Sequence, residues 1–209
     1  MYLHGFASSA QSGKAAYFSQ RIAPAGVAFE CPDLNDPDFQ TLTMTRMIDR
    51  VGERLSRVDG RVALIGSSLG GTLAILAADR FADRVDRVLL LAPAVMFTRP
   101  GHNFLPPERI AQWRREGALP FFHHGYGETR LLDVGFYEDS LQYDPFAAVL
   151  EQPVLIFQGR HDASVDYRSV EQFAHPRPNV TLSLVDDDHQ LIASLPRIWD
   201  ATAPFLGLA

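Results

Sequence analysis

Apolar residues in this chain gather in short runs, and most runs are followed by a longer stretch with helical spacing of apolar positions. The runs Met1–His4, Val27–Phe29, Val62–Ile65, Val85–Leu91, Val154–Gln158 and Val180–Val185 predict strands. Most are continuous Val, Ile and Leu rather than alternating, the pattern of strands buried on both faces of a parallel sheet. Helices are predicted over Gly13–Ala23, Leu42–Arg57, Leu69–Arg80, Val170–Ala174 with its neighbours, and Pro196–Leu206. Strand followed by helix, repeated, predicts an α/β architecture with a mostly parallel central sheet flanked by helices.

The alternation stops between Ala94 and Ala147. Residues 95–146 are rich in aromatic side chains, Pro and Gly. Glu108–Glu116, behind Pro106–Pro107, predicts a short helix. The string ALPFFHHGYGETRLLDV predicts a hairpin turning at Gly125–Gly127. The apolar content of this segment argues against disorder. It reads as a lid or pocket wall inserted into one domain that spans residues 1–209.

Composition narrows the function classes. The 209 residues are 46% hydrophobic and 21% charged, which fits a soluble globular chain. The net charge of −6 gives a nucleic-acid partner no electrostatic support. A single cysteine, Cys31, excludes an intrachain disulfide and a Cys-rich metal site. The opening MYLHGFASSA lacks a basic leader, and no window reaches the roughly 18 apolar residues of a membrane span. The expectation is a cytoplasmic protein with no membrane partner.

The chemistry begins at residues 61–80, RVALIGSSLGGTLAILAADR. Gly66-Ser67-Ser68-Leu69-Gly70 fits G-x-S-x-G with Ser68 central; in the alternative frame, centred on Ser67, Ile65 would stand where a glycine is needed. A sharp strand-to-helix turn lifts the central side chain clear of the sheet. The flanking positions come so close that a Cβ would clash, so both require glycine.

A serine hydroxyl needs a base, and the base needs an orienting carboxylate. The strand in PVLIFQGRHDASVDY ends at a Gly159 turn and is followed by Asp162. Asp166 competes, but it stands where a helix begins and reads as an N-cap; Asp162 lies nearer the strand end, where sites form in open α/β sheets. His189 follows the last strand. Of the seven histidines it alone combines the chain order with a strand-end position. The Asp186–Asp188 run does not read as a metal site, because consecutive carboxylates diverge and no second ligand cluster accompanies them. Backbone donors for a developing oxyanion are expected at Leu69, where a helix starts, and at Phe6, in the turn after the first strand.

With these residues in place, the strings YLHGF, GSSLGG, GRHDASVDYRS and DDDHQL occur in the order of the α/β-hydrolase fold. The pair HGFASSAQSGKA and GSSLGG is similar to small bacterial esterases of the YqiA-like group. The resemblance covers nearly the whole chain. It implies a compact α/β-hydrolase fold with residues 95–146 as a lid-like insertion after the sixth-strand position. It also implies a Ser68–His189–Asp162 triad with Phe6 and Leu69 as oxyanion donors. The expected activity is hydrolysis of short- to medium-chain carboxylic esters through an acyl-enzyme, without cofactor or metal, on a small-molecule acyl ester. Phe97, Phe104, Trp113, Phe121, Phe122 and Tyr126 are candidates for an apolar acyl pocket. Thioesters or amides are the rival substrates. A non-catalytic binding module of the same fold predicts a broken triad, whereas all three members are present.

Overall fold

The computed structural model describes residues 1–99, 101–102 and 104–208. Seven strands and seven α-helices follow one another along the described chain: β1 (Tyr2–Leu3), α1 (Gly13–Ile22), α2 (Met44–Ser56), β2 (Val62–Ser67), α3 (Leu69–Arg80), β3 (Val85–Leu91), α4 (Pro107–Glu116), β4 (Ala118–His123), β5 (Glu128–Asp133), α5 (Gly135–Ser140), β6 (Val154–Gly159), α6 (Tyr167–Ala174), β7 (Val180–Val185) and α7 (Leu195–Phe205). Five strands form one parallel sheet in the order β1–β2–β3–β6–β7. The other two, β4 and β5, pair as an antiparallel hairpin.

The continuous apolar runs are explained by what covers the sheet. Along β3, Val88 and Leu90 enter a core shared with α2, α3 and α6. Leu89 and Leu91 enter a second core on the opposite face, shared with α1 and α7. Helix α2 shows the pattern on the helical side: Met44, Met47, Ile48, Val51 and Leu55 form one buried stripe. Burying each such side chain contributes about 1.5–3 kcal/mol. Thr43 starts this helix by accepting a hydrogen bond from the Arg46 amide. Among the described residues no helix is long and apolar enough to cross a membrane.

Two local readings of the sequence are corrected. Val27–Phe29 is not a strand. The segment runs beside β1 and shares one backbone bond with it, Tyr2 N–H to Glu30 O at 2.7 Å. With β1 only two residues long and Val27 half exposed, no ladder extends there. Conversely, GFYEDS, a stretch with no helical signal, forms α5. Burial of Phe136 and Tyr137 against the insertion's aromatic core decides its conformation.

Residues 95–146 hold α4, the β4–β5 hairpin and α5. They are bonded to the sheet-covering layer: the Thr45 amide and hydroxyl both donate to Asp139, at 2.8 and 2.7 Å.

Candidate active site

The turn between β2 and α3 places Ser68 at φ 55° and ψ −118°, a conformation that costs a non-glycine residue energy. Its backbone is fixed on both sides. The Ser68 amide donates to Leu91 O at 3.0 Å, and Ser68 O accepts from the amides of Gly71 and Ala94. Gly66 and Gly70 make the turn possible. A Cβ on Gly66 would stand 2.3 Å from Gly70 O, and one on Gly70 would stand 2.0 Å from Leu3 O. Both approaches are to backbone atoms, which cannot move aside. Ser67 is buried beneath the turn.

Three loops at the carboxyl ends of β2, β6 and β7 converge on Ser68. His189, after β7, stands with Nε2 3.1 Å from Ser68 Oγ. Its Nδ1–H donates to Asp162 Oδ2 at 2.8 Å. The Asp162 carboxylate is wholly buried and fully partnered: Oδ1 accepts from the amides of Ser164 and Val165, and Oδ2 also accepts from Gln158 Nε2 at 2.9 Å. Burial opposes its charge, but the bonds from His189, Val165 and Gln158 outweigh burial and hold the carboxyl below the usual range. Asp166 instead caps α6, accepting from the Arg168 amide, and stands exposed. This arrangement can take a proton from Ser68 and hold the resulting imidazolium.

The loop after β1 faces the same hydroxyl. A Cβ on Gly5 would lie 3.4 Å from Ser68 Cβ and 4.0 Å from Ser68 Oγ, which brings the following peptide against the site. Among the described residues, the Phe6 amide donates to no carbonyl. The Leu69 amide opens α3 and lacks an intrahelical acceptor. His4 braces this loop. A neutral ring with its proton on Nδ1 donates to Gly5 O at 3.0 Å and accepts the Leu34 amide on Nε2 at 3.1 Å. The Phe6 ring keys the loop into the insertion, with Phe121 and Phe136 each 5.5 Å away between ring centres.

A cleft of about 480 Å³ opens beside Ser68. The expected acyl pocket is corrected here. Phe97 and Phe104 line the cleft together with Phe6, Val165 and Ile192. Phe121 stands one layer behind, against Phe6 and Trp113. Trp113 is fully buried, its indole N–H donating to Leu132 O at 2.7 Å. Phe122 is 54% exposed, because neighbours on a strand face opposite ways. Tyr126 stacks on His123 and lines a separate groove with Pro37 and Arg130.

The chain matches the family model described as an uncharacterised protein family, UPF0227, over residues 1–205. It belongs to that family. Among curated proteins none matches it. Solved structures establish the fold of this UPF0227 member as that of the α/β hydrolases. It is similar to Est1E from Butyrivibrio proteoclasticus with ferulic acid bound, at 22% identity and a TM-score of 0.82, covering 98% of this chain and 86% of that one. It is similar to mouse alpha/beta hydrolase domain-containing protein 10, at 21% identity and 0.81, covering 99% and 88%. It is also similar to a monoacylglycerol lipase from Paleococcus ferrophilus, at 15% identity and 0.71, covering 94% and 90%.

Two further groups at the UPF0227 site escape sequence reading. Gln158 lies next to the end of the buried strand β6, and only the fold shows that its amide supports Asp162. Lys14 lies on the inward face of α1 with Ala15 and Phe18, and lines the cleft. A charged residue in register with Phe18 was the available signal.

Proposed function

We propose that this chain is a serine hydrolase of carboxylic esters, working through an acyl-enzyme. Ser68 Oγ attacks the ester carbonyl carbon while His189 Nε2 takes its proton. Asp162 keeps the imidazole proton on Nδ1 and stabilises the imidazolium. The carbonyl oxygen, now negative, is met by the amides of Phe6 and Leu69, and the α3 dipole favours that charge. His189 gives its proton to the leaving alkoxide, and the C–O bond breaks to leave acyl-Ser68. A water, deprotonated by His189, then attacks the acyl carbon, releasing the acid and returning the proton to Ser68. Every step uses groups of this chain. The 95–146 segment supplies the apolar wall for a short to medium acyl chain through Phe97 and Phe104.

The observation that supports this reading most is the unbroken relay from Asp162 to His189 to Ser68, at 2.8 and 3.1 Å. An ester substrate also agrees with the monoacylglycerol lipase among the similar folds. A panel of p-nitrophenyl esters, acyl thioesters and aminoacyl amides, run with wild type and Ser68→Ala, tests it. Ester turnover that falls about 10⁴–10⁶-fold in Ser68→Ala, with the fold intact, is the expected result. Turnover confined to thioesters or amides would move the substrate class, and wild-type rates in Ser68→Ala would end the proposal.

A further inference from the structure

We propose that the cleft contains an anion site, built from the Lys14 ammonium and the first amides of α1, that selects esters carrying a carboxylate or phosphate. The proposal rests on the hydrolase reading above and names the substrate class within it.

Lys14 is only 9% exposed, yet it lines the same cleft as Ser68 and His189. Among the described residues it makes no hydrogen bond and no ion pair. The carboxylates that act on it are Asp162, Asp188 and Asp187. All three are committed elsewhere. Asp162 is held by His189, Gln158 and two amides. Asp187 accepts from the Ser194 and Asp188 amides. Asp188 accepts from the Gln190 amide. Burial lowers the ammonium to about 8 against the pull of these groups, so at neutral pH it still carries its charge. The stem of Lys14 is buried while its ammonium, which is not among the fully buried unpartnered atoms, meets the cleft, so the cleft is the direction from which a partner can come.

The helix that carries Lys14 points to the same chemistry. Ser12 caps α1 by accepting from the Ala15 amide, and Ser12 O accepts from Ala16. The amides of Gly13 and Lys14 make no backbone bond among the described residues. Gly13 faces open space, with nothing within 4 Å of an added Cβ. Two free amides, a positive helix end, and an unpaired ammonium therefore border one volume, with the hydroxyls of Ser8 and Ser12 beside them. An oxyanion on the substrate satisfies all of them while its ester reaches Ser68.

The test compares p-nitrophenyl valerate with mono-p-nitrophenyl glutarate, which differ by a terminal carboxylate. In Lys14→Met the ratio of kcat/KM, glutarate over valerate, is expected to fall about 10–100-fold, the worth of a charge-assisted contact. Lys14→Arg is expected to recover part of it. Glutarate and inorganic phosphate, as competitors of valerate hydrolysis, separate a carboxylate from a phosphate preference. An unchanged ratio in a cooperatively folded Lys14→Met would overturn the proposal, and Lys14→Gln carries the same comparison should Lys14→Met fail to fold. Calorimetric binding of glutarate or phosphate to wild type, compared with Lys14→Met, reads the anion site without turnover. Binding lost in the variant supports the site even if neither ester is hydrolysed, an outcome that would count against the hydrolase reading alone. No binding of either anion to wild type would count against the site.

Discussion

A methyl group on Gly70 would sit 2.0 Å from the carbonyl oxygen of Leu3 and 2.7 Å from that of His4. The helix that carries the Leu69 amide and the loop that carries Phe6 are therefore locked together, backbone to backbone. Gly70→Ala forces them apart. We expect a loss of about 1–3 kcal/mol or more in stability, with a loss of ester turnover larger than that destabilisation explains at permissive temperature. Gly135→Ala, where an added Cβ meets nothing within 4 Å, is the control. Thermal unfolding and kcat measured together decide it; a Gly70→Ala protein matching the control in both would contradict the interlock.

The choice between two carboxylates is equally direct. Asp162→Asn leaves the shape but removes the charge that orients His189, and kcat is expected to fall by up to about 10⁴. Asp166→Asn keeps a cap for α6 and is expected to stay within about threefold of wild type. The reverse ranking in kcat would reassign the acid.

His4 touches no reacting atom in this account. It positions the oxyanion loop by bonding Gly5 O and the Leu34 amide. His4→Ala leaves both unsatisfied, so kcat is expected to drop about 10–100-fold while KM changes little. A rise in KM with unchanged kcat would place His4 in substrate binding instead.

Lys14 carries a sign that separates it from an ordinary structural lysine. Its pKa in the folded chain is lowered from 10.5 to about 8, so below pH 8 the native state holds a charge that it disfavours. Replacing it with Met is therefore expected to stabilise the protein at pH 7, by about 1–3 kcal/mol. Between pH 8 and 10.5 the unfolded chain binds more protons than the folded one, wild-type stability rises, and the gap should close. Denaturant midpoints for both proteins at pH 7 and pH 10 check this. A destabilised Lys14→Met at pH 7 would mean that the ammonium has a native partner.

Much of this was legible in the sequence, for identifiable reasons. The strands β3 and β7 and the helix α3 have sequence boundaries that coincide with the structure, because apolar-rich segments set between turn residues leave little choice of where each element begins and ends. Gly66 and Gly70 could be read because a clash with backbone admits no other residue. What could not be read depends on contacts distant in the chain. The α5 stretch takes its conformation from the buried Phe136 and Tyr137, and Val27–Phe29 has strand composition but no ladder beside it. Aromatic residues of 95–146 look alike in sequence. Only the hairpin's pleat separates exposed Phe122 from Phe121, and only packing buries Trp113 away from the cleft. Gln158 gains its role from the shape of the turn that brings Asp162 and Val165 back onto it, and Lys14 gains its role from the cleft itself, neither of which local pattern encodes.

The central claim is that Ser68 is a nucleophile armed by His189, and one measurement meets it directly: peptide mass spectrometry after a fluorophosphonate probe is added to the native protein. We predict one adduct, on Ser68, absent from Ser68→Ala and formed about 10³-fold more slowly or worse in His189→Ala. An unlabelled Ser68 in the folded wild type, or labelling that persists in Ser68→Ala at the wild-type rate, would contradict the account.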